Sequence, residues 1–473
     1  MPPGCREHRF ASCFEPERRI WYRLVQMSWL ASSWPLFLVA LIPGCNSCAK
    51  SRSAATDSNP AAITASIDAS QPTVRRVASE SAAVFSAPIA AMYAAHRQVV
   101  AGLVVSVGMV RVTSVDSDTD RGWTTDLLPG VSWRPDAELH LLPAGNGVAV
   151  VWHGPRDGAV VHAMVLLGPR GEPVGEPIEV GGAYCATLEA VAWIEPRSGG
   201  AATVRALRWA DSHVFDVVSV PADRDPSLVC GDHAVLVLGA GDDDLVATSV
   251  VMLEPGASRN SIVAIREADF GDDDEREHEA YSFGDSLGLV WVGTSGTIWL
   301  REVPNGGSPT PWHSLKHALG DDDDIVAVDG DADATVVVYT HDSGEPCPDP
   351  NGVAESVRAI RVDRRTHVES RLELVGPSCD RASGPFWIGF IPGAAVVGWV
   401  ERETLLPAGS APIGGISFRA IAGDTVRAAR LDRSADAAVD AGCDNRGCAV
   451  ASLVRKPPSD GMHPEAIDLF YFP

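Results

Sequence analysis

The strongest constraint on this chain is a short apolar run, closed by an aromatic residue or leucine, that returns along most of its length. It reads Val148-Ala-Val-Val-Trp152, Glu189-Ala-Val-Ala-Trp193, Ala234-Val-Leu-Val-Leu238, Gly288-Leu-Val-Trp291, Val336-Val-Val-Tyr339 and Val396-Val-Gly-Trp399. The closing residues follow one another at intervals of 41, 45, 53, 48 and 60 residues, and weaker members lie at 99–105 and 448–453. After each run comes a polar or glycine-bearing turn and then an alternating segment, as at 160–167, 203–209, 297–303, 357–363 and 425–432. The tripeptide Val-Arg-Ala recurs in that segment at 204–206, 357–359 and 426–428, and residues 171–180 continue into a further strand.

Period-2 alternation, β-branched enrichment and close turn signals predict strands. No stretch of the repeat region carries a capped helical period. A repeat of this length with three or four antiparallel strands is the pattern of a propeller blade. The expected fold is therefore all-β: one β-propeller of seven four-stranded blades, within a range of six to eight. The apolar run, read as the first strand of each blade, is expected to line the channel, with its aromatic packed between blades. The last unit shows only two clear strands, so a strand from residues 73–95, or the first weak repeat, is expected to complete it and close the ring.

The N-terminal part reads as an address. Residues 28–44 form an uncharged apolar run that ends at Cys45, short for a membrane span and placed like a secretory h-region. Leu41-Ile42-Pro43-Gly44-Cys45 resembles the lipobox of bacterial lipoproteins. The resemblance implies that residues 1–44 are a signal peptide and that Cys45 is acylated as the mature N-terminus. An ordinary signal peptide or an uncleaved anchor implies export as well, and both Met1 and Met27 stand as possible starts. Asn46, where Asp would favour inner-membrane retention, makes the outer membrane the expected address. Residues 45–72 are the lipidated terminus and a Ser-, Ala- and Asp-rich tether that buries too little surface to order itself. Residues 73–473 are the propeller. In general pattern the chain resembles β-propeller-type repeat lipoproteins of bacteria, without the Gly-His and Trp-Asp pairs of WD40 blades.

Charge narrows the partners. The net charge is −24, and without residues 1–44 the chain keeps 33 basic against 59 acidic residues, a balance of −26. Such a surface repels phosphate backbones and anionic headgroups, so no nucleic acid is expected, and the membrane is met through the lipid anchor alone. The cysteines fit export. Cys185 lies eight residues before Trp193 and Cys230 eight before Leu238, matching places in successive repeats. The expected bridges are Cys185–Cys230, Cys347–Cys379 and Cys443–Cys448, one of the several connectivities that six cysteines allow.

Two strings look like chemistry. Phe283-Gly-Asp-Ser286-Leu-Gly288 contains Gly-x-Ser-x-Gly and resembles the first block of the GDSL (SGNH) hydrolases, while Asp460-Gly-Met-His463 resembles that family's last block. The resemblance implies Ser286 as nucleophile, His463 as its base and Asp460 as the group orienting the histidine. Here, however, Gly288-Leu-Val-Trp291 follows at once as a strand in step with the repeat, where the family turns into a helix. Asp329-Gly-Asp331-Ala-Asp333 places three carboxylates at alternate positions and resembles the opening of EF-hand-like calcium loops, so no cofactor other than calcium is expected. A zinc site is not expected, since no Cys-x-x-Cys pair lies in the repeat region and the histidines are scattered. Lacking a coherent catalytic set, the chain is expected to be a binding or scaffolding propeller with an unidentified protein or glycan ligand on its rim. An envelope hydrolase and a calcium-stabilised structural module are the alternatives.

Overall fold

Every regular element that the described residues form is a β-strand, as the alternation and the apolar runs predict. The computed structural model describes residues 73–472 apart from 79–84, 95–96, 117–120, 135, 182, 198–200, 211–212, 222–226, 232–233, 241–244, 253–259, 267–274, 284–285, 305–308, 348–352, 380, 392, 403–413, 432–438, 445–446 and 456–463. Cys45 and the tether lie outside the described residues, as do the side chains of some strand ends.

Among the described residues the strands form eight four-stranded antiparallel sheets, within the expected range of six to eight and one more than seven. Blades 1 to 7 occupy residues 85–127, 138–179, 184–221, 227–266, 275–314, 323–378 and 381–431, each with its four strands side by side in chain order. The eighth joins Val439–Asp444, Gly447–Arg455 and Pro464–Phe472 to Thr73–Ala78 as its fourth strand. Val74 pairs there with Phe470 and Val77 with Ile467, so the start of the chain completes the last blade. The extra blade is the weak repeat at 99–105, which is the second strand of a full sheet, Arg97–Val104.

First strands touch first strands around a complete circuit: Phe85–Ala94 contacts Glu138–Ala144, the series runs blade by blade to Val439–Asp444, and that strand returns to Phe85–Ala94. The sheets are thus arranged as a closed propeller with the first strands innermost.

This corrects one expectation. The apolar runs are second strands, not first: Trp152 lies in Gly147–Arg156, behind the channel-lining strand Glu138–Ala144. A second strand has a partner on either side and a neighbouring blade against each face. That double cover explains why Ala149, Val150, Val151 and Trp152 are all fully buried. The core is correspondingly a set of layers between blades. Val148, Val150 and Trp152 pack toward blade 1, whereas Ala149, Val151 and Met164 pack toward Val191 and Trp193 of blade 3. Trp399 fills the layer between blades 6 and 7, as Tyr339 does between blades 5 and 6.

The recurrent Val-Arg-Ala has two meanings. In blades 3 and 6 its arginine sits on the third strand directly opposite the aromatic, pairing Arg205 with Trp193 and Arg358 with Tyr339. The Arg205 guanidinium lies 5.9 Å from the Trp193 ring, within cation–π range. In blade 7, by contrast, Arg427 belongs to the fourth strand, Thr425–Leu431, and the third strand is Gly414–Ala422. The glycines that open Gly414–Ala422 blur its alternation, which hides it in the sequence.

Candidate functional site

Antiparallel order gives the ring two distinct faces. The turns joining first to second and third to fourth strands open on one, called here the hairpin face. The turns joining second to third strands, and the crossings from blade to blade, open on the other, the crossover face.

Ser286 sits on the hairpin face. It begins the second strand of blade 5, Ser286–Gly293, paired with Phe283 across a tight hairpin and with Pro304 of the third strand. Asp460 and His463 lie outside the described residues. Pro464, covalently next to His463, begins the third strand of blade 8, so it stands on the crossover face. The eight-residue strand Ser286–Gly293 alone spans roughly 25 Å at the usual strand rise. The structure therefore holds Ser286 and the covalent neighbour of His463 on opposite faces of different blades. Gly288 has its own reason to be glycine. It pairs across the sheet with Tyr281, and a Cβ there would come within 2.1 Å of the Tyr281 ring. Blade 7 repeats the device, with Gly398 opposite Trp387 and a virtual Cβ 2.2 Å from the indole.

The three aspartates lie on the first hairpin of blade 6, also on the hairpin face. Asp331 turns its carboxylate onto its own turn: Oδ1 accepts the Asp333 N–H at 2.8 Å and the Ala334 N–H at 2.7 Å. Asp329 accepts the Gly330 N–H at 2.8 Å. Enclosure of its carboxyl raises its pKa to about 7, with the Asp331 charge adding to the rise. Tyr281, hydrogen-bonded to Thr335 at 2.7 Å, is pushed up to about 12 by its burial. Arg364 covers the Phe283 ring, pairs with Glu302 at 2.7 Å and donates to the Asp331 carbonyl at 2.7 Å. Among the described residues no three His, Cys, Asp or Glu side chains stand in a ready-made metal-holding arrangement.

Two disulfides are formed. Cys185–Cys230 joins the innermost strands of blades 3 and 4, with Cα atoms 5.5 Å apart. Cys347–Cys379 ties together the ends of the second and fourth strands of blade 6. Cys443 and Cys448 face one another in backbone register across a hairpin, but their side chains lie outside the described residues.

The crossover face holds groups that sequence reasoning missed. On blade 2, Glu138 is directly opposite His153, which is directly opposite His162, and His140 shares the strand of Glu138 two residues on. All four side chains point toward blade 3, above the apolar layer of Val151 and Met164. The Glu138 Oε2 stands 3.7 Å from His140 Nε2 and 3.7 Å from His153 Nδ1. The neighbouring His140 imidazole, with a smaller contribution from His153, holds the Glu138 carboxyl below its ordinary range. His153 and His162 stack with ring centroids 3.7 Å apart, and burial, with help from His153, lowers His162. Tyr184, the first residue of blade 3, meets His140 edge-on, and burial raises its hydroxyl. No fixed spacing in the sequence marks this group, because three strands contribute to it.

On blade 6 the same face carries Asp323, His341 and Ser356 in a cross-strand line. Asp323 Oδ1 lies 2.6 Å from His341 Nδ1, and its Oδ2 accepts the Gly320 N–H at 2.7 Å. Ser356 is fully buried and donates to the His341 carbonyl at 3.4 Å. A hydroxyl so enclosed cannot meet a substrate, so the line reads as a register lock.

Beside the histidine cluster, the rim of blades 1 and 2 exposes apolar side chains: Val105, Val107, Val160 and Trp133, the last 52% exposed. The three turns beneath them are stitched together, Gly130 N–H to Gly108 O and Asp157 N–H to Gly130 O at 3.0 Å each, and Ser132 N–H to Pro155 O at 3.1 Å. Of the three non-glycine residues with positive φ among those described, Leu128 and Asp157 are both here. Asp157-Gly158 is the two-residue hairpin that Asp-Gly adopts readily, whereas Leu128 at a φ of 50° is held in a conformation unusual for a branched side chain.

No family model and no curated protein matches this sequence. Solved structures do. The WD40 domain of SCAP from fission yeast is 8% identical with a TM-score of 0.45, over 85% of this chain and 98% of that one. The β-propeller domain of the Trilobed protease from Pyrococcus furiosus is 9% identical with a TM-score of 0.42, over 75% of this chain and 97% of that one. A prolyl endopeptidase is 11% identical with a TM-score of 0.42; 82% of this chain is covered, but only 50% of the endopeptidase's length. The assignment as a propeller rests on the closed circuit of first strands and the four-stranded sheets themselves.

Proposed function

We propose that this chain is an exported, lipid-anchored propeller that binds a protein or glycan ligand on the crossover face of blades 1 and 2. The observation that carries the reading is the exposed group of Trp133, Val105, Val107 and Val160 on three mutually hydrogen-bonded turns. Exposed apolar side chains gathered on one rim, over a rigid scaffold, favour ligand contact over solvent contact. Disulfides between and within blades suit an oxidising compartment, as export through the Cys45 signal requires.

A photo-crosslinking residue placed at Trp133 in intact cells tests the site, with the same residue at Val368, exposed on the hairpin face, as the control. A discrete adduct at Trp133 and none at Val368 is expected; equal labelling at both, or none at Trp133, overturns the reading. Incorporation of a labelled fatty acid, abolished by Cys45→Ala, tests the anchor. Fluorophosphonate labelling that disappears in Ser286→Ala would replace the binding reading with the hydrolase.

A further inference from the structure

We infer that Glu138, His140 and His153 form a binding site for one divalent transition-metal ion, of which Zn²⁺ is the natural probe. The inference is independent of the Trp133 ligand site, and either can fail alone.

The argument starts from sheet geometry. Residues i and i+2 on one strand and the residue directly opposite i on the next strand share a face within reach of a common point. Glu138, His140 and His153 hold those three positions. Two imidazoles and one carboxylate are a donor set that borderline-soft divalent ions take up, and three protein ligands leave a fourth position open to water or to a donor from outside. Imidazole also sets the class, because Ca²⁺ and Mg²⁺ prefer all-oxygen shells.

The distances can be compared with what such an ion needs. With metal–ligand bonds of about 2.0–2.1 Å, neighbouring donors in a tetrahedral shell are about 3.4 Å apart. The shared carboxylate oxygen stands 3.7 Å from each histidine nitrogen, so the donors are too wide to count as a formed site and must close by about 0.3 Å. Side-chain exposure leaves room for that closure: His140 is 47% exposed and Glu138 53%. The surroundings fit the same purpose. His162 backs His153 by stacking on it, its Nδ1 is buried without a hydrogen-bond partner among the described residues, and Tyr184 holds the edge of His140.

The experiment is titration of the mature protein with Zn²⁺, read by calorimetry, and with Co²⁺, read by its visible ligand-field band. One ion per chain is expected, with the intense band of tetrahedral cobalt and a raised melting temperature. His140→Ala and His153→Ala should each weaken Zn²⁺ binding at least tenfold and remove the band, while Glu138→Gln, which keeps the side-chain shape, weakens it too. Each variant's melting temperature without metal should match the parent, which shows that it is folded. Absence of Zn²⁺ binding, or binding that all three variants leave intact, overturns the inference.

Discussion

Asp329→Asn is the substitution whose consequence the structure specifies most fully. The carboxyl is enclosed at the hairpin of blade 6, and its pKa rises from 3.8 to about 7, chiefly because burial disfavours the charge. The folded state therefore holds a proton that the unfolded chain has already lost between about pH 4 and 7. Stability must fall as pH rises through that window and level off above it. At about 1.4 kcal/mol per pKa unit, the full cost of ionising Asp329 above pH 7 is about 4 kcal/mol. The residue as a whole keeps some exposure, and solvent screening there brings the working figure to about 2 kcal/mol.

Asparagine keeps the acceptor for the Gly330 N–H and removes the charge. Unfolding a ring of roughly 400 residues carries an entropy that converts 1 kcal/mol into about 1 °C of melting temperature. Asp329→Asn should then leave the melting temperature nearly unchanged at pH 4.5 and raise it by about 2–4 °C at pH 8, by differential scanning calorimetry in one buffer series. An equal shift at both values, or destabilisation at pH 8, would refute the reasoning, because either would show that Asp329 is not carrying a costly charge in the folded ring.

Replacing Cys185 and Cys230 together by Ser should cost about 4 kcal/mol, from the loop entropy of a bridge spanning 45 residues, and the same loss should follow reduction of the parent. Gly288→Ala should destabilise by about 1–3 kcal/mol, because a methyl at that position collides with the Tyr281 ring; Gly288→Ala combined with Tyr281→Leu should recover part of the loss in the same thermal assay. Trp152→Ala, which empties the layer between blades 1 and 2, should cost about 3–5 kcal/mol. The calcium reading of the Asp329 hairpin predicts a melting temperature that rises with added Ca²⁺ and a rise that Asp331→Ala abolishes; an unchanged melt removes it.

What the sequence made legible follows burial. Second strands such as Gly147–Arg156 and Ala334–Pro346 are covered on both faces, so their apolar runs are continuous and their period emerges without alignment. Outermost strands are poorly legible for the opposite reason. Ile178–Glu179 and His313–Ser314 are two residues long and half in solvent, and nothing in their composition separates them from loops. Channel-lining strands such as Glu138–Ala144 and Glu275–Phe283 are of full length but carry charged and polar residues in place of a continuous apolar run, so the apolar second strand stands out in the sequence as if it were the first. The cysteine spacing was informative because Cys185 and Cys230 occupy equivalent places in successive blades, and equivalent places in adjacent blades are neighbours in a ring.

The same reasoning explains why the groups gathered on the crossover face of blade 2 carry no linear motif. A linear motif records what one strand and its turn require: Gly288 admits Tyr281, and Asp331 caps its own hairpin through the Asp333 and Ala334 N–H groups. Convergence on a propeller runs instead across strands, where partners are set by register. Glu138 meets His153 fifteen positions on and His153 meets His162 nine further, spacings fixed by the lengths of two hairpins and by no chemical rule. Lengthening either hairpin by one residue would turn a member of the set to the other face of the sheet. An insertion of one glycine between Gly145 and Asn146, in the hairpin that joins the Glu138 strand to the His153 strand, slips this register and should therefore abolish Zn²⁺ binding with every donor residue still present. Retained binding would show that the ion is held elsewhere.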